Sequence, residues 1–435
     1  MFSSGLANNV WVGLFYNKKV KKQITNLVEA EKFFELYAPL RASGHYSLDR
    51  IRELMYRLGN PQNEVAVIHV AGTSGKTSTA YFIRALLQKA GKKTGLTVSP
   101  HISSIAERAQ INGANLPDKI YLHHINKFKK LIEKYPDIQP TYFELVIAFA
   151  YWLFAKEKVD YAVIETGLGG LYDATNIVER ADKVCVSTPI GYDHTEVLGE
   201  TLQEIATQKA GIIQPNNHVV LSAQNEALMS VFSEVAARKN AEIHPQELSS
   251  IPAFLPNFQI GNWQLAYTTY NLLRTRTDKL PVLSKEQLDE CARKAPPGRY
   301  EIYHVRGKII ILDGAHNQQK LQGLLTSLPR QFQTGNTWVV ALVGNDTARI
   351  AQSAALLRTI PVEFICTEFS TGQDIKARQS IPAKELAELL PAAHARVERD
   401  VQKALEMALA STHDYIVITG SLYLISQIRP LLTQM

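Results

Sequence analysis

Short runs of apolar residues alternate along the chain with longer segments in which apolar positions recur every three or four residues. The short runs have the length and β-branched content of buried strands, and the longer segments have the period of amphipathic helices. In the first part of the chain, strands are predicted at 65–70, 93–98, 161–165, 184–188 and 219–222. Helices are predicted near 77–90, 143–156, 202–210 and 227–239. This alternation predicts a doubly wound α/β unit with a mainly parallel sheet.

A second series of the same kind lies in the last third of the chain. Its strands are predicted at 308–312, 338–343, 362–366 and 415–419, with helices between them. The sequence Pro296-Pro297-Gly298 precedes this series, and it is typical of a hinge because two prolines and a glycine cannot continue a helix. We therefore predict a first domain over residues 1–295 and a smaller, Rossmann-like α/β domain over residues 296–435.

A glycine-containing turn follows the first predicted strand, where the chain reads Gly72-Thr73-Ser74-Gly75-Lys76-Thr77-Ser78. The two glycines permit backbone angles that turn N–H groups towards an anion, and the helix that follows adds the positive end of its dipole. Lys76 supplies a mobile charge, and the hydroxyl of Thr77 or Ser78 stands where a phosphate-bound magnesium ion would be held. The usual motif has a glycine in place of Val70, so this loop is a shortened variant. The turn predicts a P-loop ATPase domain.

Composition restricts the class of protein further. The 435 residues, 46% of them hydrophobic, can form two or three buried cores. A net charge of +6 suits anionic ligands, but the basic residues are scattered, so we expect no nucleic-acid partner. Cys185, Cys291 and Cys366 lack metal-ligand spacing and indicate a reducing cytoplasm. No signal or transit peptide is evident and the longest apolar run, 145–155, is too short to span a bilayer, so we expect no membrane partner.

Acidic and histidine side chains follow two more predicted strands. Glu165 ends one strand and precedes three glycines, so it could hold magnesium, although a helix cap or a solvated loop acid is the alternative. Asp193 and His194 come just after the next strand, where a metal or phosphate role competes with a purely structural one. Lys209 lies at a helix end, where its spacing alone indicates a partner for the helix dipole.

The second domain repeats this design with Leu312-Asp313-Gly314-Ala315-His316-Asn317, a strand end followed by an acid, a glycine and polar groups that begin a helix. Arg299 follows the hinge and could reach a phosphate when the domains close, although a surface ion pair is the simpler interpretation.

Together these motifs resemble the folylpolyglutamate synthase/dihydrofolate synthase family, a branch of the Mur ligase-like ATP-dependent amide ligases. The resemblance extends from about Leu48 to Tyr423 and rests on eight strings in the family order: HVAGTSGKTS, SPHISSIAERAQING, PTYFELVIAFAYW, DYAVIETGLGGLYDATN, GYDHTEVLGETLQEIATQKAGII, PPGRYE, ILDGAHN and TGSLYL. It implies ligation of L-glutamate to a folate-type carboxylate, with ATP and two Mg²⁺ ions, in a cleft between the two domains. It also implies an acyl-phosphate intermediate and a cytoplasmic enzyme that acts on small molecules; we expect a monomer.

The resemblance assigns roles by position. Nucleotide and phosphate contacts are implied at Gly72, Thr73, Ser74, Gly75, Lys76, Thr77, Ser78, Asn262, Arg299 and Asp313. Magnesium ligands are implied at Ser99, Glu144, His194 and Lys209, the last as a carbamylated lysine that has become a carboxylate. His316 and Ser421 match positions near the incoming glutamate, and the implied catalytic residues are Lys76, Lys209 and His316.

Two departures from the family pattern keep other functions open. The loop has Ser74 and Thr77 where most members have asparagine and glycine, and Leu171 replaces an arginine near the cleft. The loop is closer to that of the cell-wall Mur ligases, so a Mur-type amide ligase with a different acid acceptor is the nearest alternative. A P-loop NTPase or kinase without ligase activity is a further one, although it would not need the second domain with Asp313 and His316. A binding protein without catalysis is disfavoured because the charged residues are retained.

Overall fold

The computed structural model describes residues 23–37, 47–247, 251–277, 280–332, 334–344, 346–371, 378–391 and 395–435. The segment 1–22, on which the expectation of no leader peptide depends, lies outside the described residues.

Seven strands form the first sheet, and all but one run parallel. They are β1 (Ala66–Ala71), β2 (Thr94–Thr97), β3 (Gln110–Ile111), β4 (Tyr161–Glu165), β5 (Val184–Ser187), β6 (His218–Leu221) and β7 (Glu242–Pro245). Their order is β3-β2-β4-β1-β5-β6-β7, and β3 is antiparallel to β2. The loop that follows the central strand β1 therefore lies between the ends of β4 and β5.

Helices cover both faces of this sheet. Those described are α1 (Leu27–Glu35), α2 (Asp49–Arg57), α3 (Lys76–Lys89), α4 (Asp118–Ile132), α5 (Tyr142–Lys156), α6 (Thr195–Leu198), α7 (Leu202–Ala210), α8 (Met229–Lys239), α9 (Asn257–Thr277) and α10 (Lys285–Ala292). Short 3₁₀ helices lie at Pro61–Asn63, Ile105–Arg108 and Ala223–Leu228. Because side chains alternate along β1, Val67 packs with α5 on one face, whereas Ile68 and Val70 pack with α3 and α9 on the other.

Six strands form the second sheet, and a short antiparallel ribbon accompanies it. In chain order the strands are β8 (Glu301–Val305), β9 (Lys308–Leu312), β10 (Thr337–Val340), β11 (Glu363–Cys366), the ribbon β12 (Ser370–Thr371) and β13 (Arg378–Gln379), β14 (Ala395–Val397) and β15 (Tyr415–Thr419). The sheet order is β14-β11-β10-β15-β9-β8, with β8 antiparallel to β9. The helices are α11 (Gln318–Ser327), α12 (Thr347–Leu357), α13 (Ala383–Glu388), α14 (Val401–Leu409) and α15 (Leu422–Gln434), with a 3₁₀ turn at Arg330–Phe332.

The fold prediction is confirmed: both units are α/β with mainly parallel sheets. Predicted strands and helices fall within a few residues of the observed ones. Sequence analysis missed the short outer strands β3, β7, β8 and β14 and the ribbon β12–β13. In the first unit it also missed the helices α1, α2, α4, α6, α9 and α10; the buried residues of α9 surround much of the helix rather than forming one stripe.

The long apolar run lies in α5, which is buried along nearly its whole length. Among the described residues, no helix is long and apolar enough to cross a membrane. The three cysteines are buried free thiols.

Candidate active site

One cleft of about 470 Å³ lies where the carboxyl ends of strands from both sheets meet. The loop after β1, the ends of β2 and β4, and the segment after β5 form one wall, and the segment after β9 forms the other. In an open parallel sheet, ligands bind at this edge, because loops diverge there and helix N-termini point towards it. Of the residues predicted for the site, all except Glu144 and Ser421 line this cleft.

The glycine loop between β1 and α3 is held by the segment that follows β5. The N–H groups of Thr73 and Ser74 donate to the Pro189 carbonyl (2.9 and 3.2 Å), and the Thr73 hydroxyl donates to the Gly191 carbonyl (3.0 Å). Because these two N–H groups donate to a protein carbonyl, they are not available to bind an anion. The anion-binding part of the loop is the first turn of α3, whose N–H groups have no intrahelical acceptor.

Both loop glycines are required by close approaches as well as by conformation. Gly72 and Gly75 have φ values of 148° and 85°. A Cβ at Gly72 would collide with the hydroxyl of Thr188, and one at Gly75 would collide with the side-chain oxygen of Asn262. Asn262 is therefore packed directly against the loop, and neighbouring Gln259 on the same helix donates to the Ser78 hydroxyl at 3.1 Å.

Glu165, at the end of β4, joins two parts of the cleft wall. Its carboxylate accepts from the Thr77 hydroxyl at 2.8 Å and from the Ser99 backbone N–H at 3.2 Å. The residue is only 3% exposed, and burial raises the pKa of its carboxyl, with Lys76 acting in the opposite direction. Within the described part of the chain, no cation lies within ion-pair distance of this carboxylate. A buried anion arranged in this way favours a bound cation.

Lys76 and Lys209 converge on one main-chain oxygen. Their ammonium groups both donate to the Gly72 carbonyl, at 3.0 and 2.9 Å. Lys209 is 4% exposed, and burial together with the charge of Lys76 lowers its pKa to about 7. Lys209 is therefore not a solvated cation at a helix end. At neutral pH a substantial fraction of its side chain is an uncharged amine.

Asp193 and His194 lie together on the segment between β5 and α6. His194 adopts a left-handed conformation (φ 52°) that begins α6, with its Nε2 3.8 Å from the Asp193 carboxylate. Burial lowers the pKa of His194, so the imidazole is neutral and can offer a nitrogen lone pair. For Asp193, burial raises the pKa of the carboxyl, but the charges of Lys320 and Lys76 outweigh burial and hold that pKa below the usual value.

The hinge and the second sheet are tied together by Asp313. Its carboxylate accepts from the backbone N–H groups of Tyr300 at 2.9 Å and Ala315 at 2.8 Å. Tyr300 has a φ of 54°, so the chain turns sharply just after Arg299 and directs it towards the cleft. Burial raises the pKa of Asp313 to about 6, although Arg299 opposes the shift.

His316, which lies just before α11, pairs with Lys320 in the first turn of that helix. The His316 Nδ1–H donates to the Gly314 carbonyl at 2.8 Å, which leaves Nε2 to accept from the Lys320 ammonium at 3.0 Å. Burial lowers the pKa of His316 well below its usual value and that of Lys320 to about 8. The second unit therefore presents Arg299 and Lys320 as cations, with a neutral histidine between them.

Glu144 does not lie in the cleft, so its predicted role as a magnesium ligand needs correction. Its carboxylate accepts from the Thr141 N–H at 2.6 Å, completing a capping box at the start of α5, and from the Arg50 side chain at 2.7 Å. Both interactions satisfy the charge locally. Glu165 is the glutamate that the fold places beside the loop.

Ser421 also lies outside the cleft lining. It is 1% exposed and caps α15, accepting from the Tyr423 N–H at 3.1 Å. Its neighbour Leu422 reaches the cleft instead. The hydroxyl of Ser421 begins a helix in this structure, and its place near the incoming glutamate stays a prediction.

Two residues of α11 that sequence analysis missed also belong to the site. Lys320 lies in the first turn of α11 and contacts His316, which precedes the helix, so helix periodicity did not indicate this pair. Gln319 accepts from the Ser74 hydroxyl at 3.0 Å and links the loop to the second unit. No local pattern could have revealed this contact.

Two family models match the chain. The Mur ligase middle domain matches residues 70–246, and the C-terminal domain of dihydrofolate synthetase matches residues 300–432. The first range contains the loop, Glu165 and Lys209, and the second contains Asp313, His316 and Lys320.

Full-length relatives match as well. The chain is 32% identical over 416 residues to a dihydrofolate synthase/folylpolyglutamate synthase of Bacillus subtilis, covering 88% of this chain and 94% of the relative. Its structure resembles that of Escherichia coli FolC in complex with DHPP and ADP (TM-score 0.80, 26% identity, 95% of this chain and 99% of the other).

It also resembles a bifunctional folylpolyglutamate synthase/dihydrofolate synthase with Mn, AMPPNP and L-glutamate bound (TM-score 0.79, 26% identity, 95% of this chain and 100% of the other). The likeness extends through both units and across the cleft. The chain belongs to the dihydrofolate synthase/folylpolyglutamate synthase family of Mur-type ligases.

Proposed function

We propose that this protein ligates L-glutamate to a folate-type carboxylate, with ATP as the source of the activating phosphoryl group. The observation that carries the proposal is the meeting of two polar strand edges in one cleft: a phosphate loop with an acid and two lysines on one side, and Arg299, His316 and Lys320 on the other. An NTPase or kinase would need only the first of these. The relatives with bound ADP, AMPPNP, DHPP and L-glutamate support the same reaction.

The nucleotide phosphates fit the first turn of α3. The close approaches at Gly72 and Gly75 leave room for main chain only, and Lys76 lies on the loop with its ammonium on the Gly72 and Thr73 carbonyls. Moving that ammonium onto a phosphate oxygen exchanges two neutral acceptors for a charged one. Asn262 is placed at the edge of the loop, where the nucleoside would extend.

A divalent ion fits beside Glu165. The carboxylate, the Thr77 hydroxyl and Ser99 supply oxygen ligands, and His194 supplies a nitrogen from the other side of the loop. Oxygen-rich sets of this kind suit Mg²⁺ or Mn²⁺. When bound, the ion would neutralise charge on the phosphoryl oxygens. A second ion is proposed on the side of His194 and Lys209.

We propose that Lys209 is carbamylated. A neutral, buried amine reacts with CO₂ as a nucleophile, forming an N–C bond and releasing a proton. The product carries a negative charge in place of the positive charge that now faces Lys76. It would convert a repulsive pair of lysines into an attractive one and add a carboxylate ligand opposite His194.

Residues of the first wall then promote phosphoryl transfer, and residues of the second wall promote the attack of glutamate. On the first wall, Lys76 and the α3 N–H groups stabilise the γ-phosphoryl group as an oxygen of the folate carboxylate attacks it and ADP leaves. On the second wall, Arg299 contacts a phosphate of the nucleotide and Lys320 attracts the carboxylates of glutamate. The glutamate amine attacks the acyl phosphate carbon, phosphate leaves, and the amine proton is lost. The neutral imidazole of His316, oriented by the Gly314 carbonyl, lies near that step.

The experiment is to measure ADP and phosphate release with ATP, Mg²⁺ and L-glutamate while adding dihydropteroate or tetrahydrofolate in turn. Mass spectrometry of the acceptor identifies the product, because each ligation adds one glutamyl group. Stimulated ADP release with a glutamylated product supports the proposal. ATP turnover that is unaffected by either acceptor, or by glutamate, would favour a simple NTPase.

Three further expectations stay predictions. The chain is proposed to divide at residues 1–295 and 296–435, between α10 and β8. We also propose a cytoplasmic location and a monomeric state. Gel filtration with light scattering tests the last of these directly.

A further inference from the structure

A second group of potential metal ligands lies at the far edge of the first sheet. His218 begins β6, and Glu242 and His244 lie on β7, the neighbouring parallel strand at the edge. His218 pairs with Glu242 in the strand register, and residues two apart on a strand share a face. The three side chains therefore lie together on the face that carries Val220, which packs with α9.

The ligand atoms converge to the spacing of a tetrahedral site. The Nδ1 of His218 lies 3.0 Å from the Nε2 of His244 and 3.3 Å from a carboxylate oxygen of Glu242. That oxygen is 3.7 Å from the Nε2 of His244. Around a zinc ion with bonds of about 2.0–2.1 Å, tetrahedral ligand atoms lie about 3.3–3.4 Å apart. The mean of the three separations falls in this range, so an ion needs only small side-chain adjustments.

The chemistry of the three donors selects one class of ion. Two imidazole nitrogens with one carboxylate oxygen suit Zn²⁺ and its first-row neighbours, whereas Mg²⁺ and Ca²⁺ prefer oxygen alone. The side chains of His218 and His244 are 17% and 23% exposed, and that of Glu242 is 66% exposed. An ion can therefore enter from solvent, and a fourth position stays open to water. Arg276, at the end of α9, is the cation that faces His218, and Glu242 offsets its charge.

We propose that His218, Glu242 and His244 form a surface site for Zn²⁺ that is separate from the catalytic cleft. His218 and Glu242 begin their strands, whereas the cleft lies at the carboxyl ends of the same sheet. The ion therefore takes no part in ligation. It cross-links the edge strand β7 to β6, and so stabilises the outer edge of the sheet. This proposal does not depend on the proposed function.

Zinc binding to the full-length, chelator-treated protein tests the site. Calorimetric titration with ZnCl₂ is made with Mg²⁺ and ADP in excess, so that the catalytic cleft is occupied. We expect one tight equivalent in the wild type and a loss of affinity of at least about tenfold in His218→Gln and in His244→Gln. His304→Gln, which changes an exposed histidine on β8, is the matched control and should bind as the wild type does.

A melting curve accompanies each titration. Zinc should raise the melting temperature of the wild type and of His304→Gln but not of the two site variants, and without zinc all four should unfold cooperatively. Glu242→Gln, at an exposed position, gives a second variant if either histidine change impairs folding. Zinc-edge anomalous diffraction should show an ion bonded to the three side chains.

Equal zinc affinity in His218→Gln, His244→Gln and the wild type would overturn the proposal. So would loss of the tight equivalent in Glu165→Gln alone, because that result would place the ion in the cleft. Absence of zinc binding by the wild type would also refute it. Ligase activity with Mg²⁺ should be the same in His244→Gln and the wild type, which separates this test from that of the proposed function.

Discussion

Glu165 at the end of β4 and Glu144 at the start of α5 are both buried glutamates, yet their surroundings differ in one decisive way. Glu144 is 6% exposed, and its charge is paired within the protein: one carboxylate oxygen accepts from a backbone N–H and from the guanidinium of Arg50. Glu165 has two hydrogen-bond donors but no cation at ion-pair distance within the described residues. A buried charge that the protein has already neutralised serves structure, whereas one left incompletely neutralised in a cleft indicates a missing ligand.

Among substitutions in the cleft around Glu165, we expect Lys76→Ala to have the largest effect on activity. This substitution removes the positive charge that stabilises the phosphoryl group during its transfer, so turnover should fall on the order of a hundredfold or more. Steady-state ADP release measures this. Lys89→Ala, at the other end of α3 and paired with Glu290 at the surface, is the matched control and should retain activity. Near-normal turnover by folded Lys76→Ala would exclude this loop as the site of phosphoryl transfer.

Lys209→Ala should also be nearly inactive, because it removes the proposed carbamate. Added short-chain carboxylates should partly restore its ADP release, and depletion of CO₂ should lower the activity of the wild type. Lys183 is an equally buried lysine, but it donates to the Val178 and Ile212 carbonyls and does not line the cleft. Any loss in Lys183→Ala should therefore not respond to carboxylates. Full activity of Lys209→Ala at saturating ATP would refute the carbamate.

The comparison of the two glutamates is tested directly by Glu165→Gln and Glu144→Gln. We expect Glu165→Gln to raise the Mg²⁺ concentration for half-maximal activity by at least about tenfold, because a charged ligand is lost. Glu144→Gln should leave the magnesium titration unchanged and lower the free energy of unfolding by about 1 kcal/mol, through the weakened cap and ion pair. The opposite outcome would restore Glu144 as the magnesium ligand that the sequence indicated.

A further prediction concerns the pH dependence of stability. The pKa of Asp313 is raised to about 6 in the folded protein from 3.8, so the folded state binds more protons between these values and stability falls as pH rises from about 4 to 6. Asp313→Asn should flatten this slope, which amounts to at most about 3 kcal/mol. Urea midpoints across that pH range measure it.

Asp193 provides a control of opposite sign. Its pKa is lowered on folding, so its contribution to stability is present at neutral pH and is lost as pH falls. Asp193→Asn should therefore remove stability at neutral pH. If the two variants changed the pH profile in the same direction, the assigned environments would be wrong.

The sequence predicted those parts of the protein that are determined locally. The strand ending at Glu165 was located to the residue, because its alternation with helices and its glycines are local signals. The short edge strands were missed because two to five residues with one exposed face carry little pattern. α9 was missed because it is buried on most sides and has no polar stripe.

In the site, the residues of the phosphate loop could be predicted together, whereas residues from distant segments could not. A phosphate loop is continuous in sequence, so its residues could be named together. The choice between Glu144 and Glu165 depends on which carboxylate meets Arg50 and which meets Thr77, and these contacts join residues 94 and 88 positions apart. The role of Ser421 is open to sequence analysis for the same reason, because the three-dimensional packing decides whether a serine caps a helix or faces a ligand.

The hydrogen bond from Ser74 to Gln319 has a thermodynamic consequence. It joins the phosphate loop to the second unit, so nucleotide binding and the position of that unit are thermodynamically coupled. By linkage, any factor by which a bound nucleotide changes the affinity for glutamate must equal the factor by which glutamate changes the affinity for the nucleotide. Measuring both factors in Gln319→Ala and the wild type would therefore give the coupling energy carried by this contact from two independent titrations.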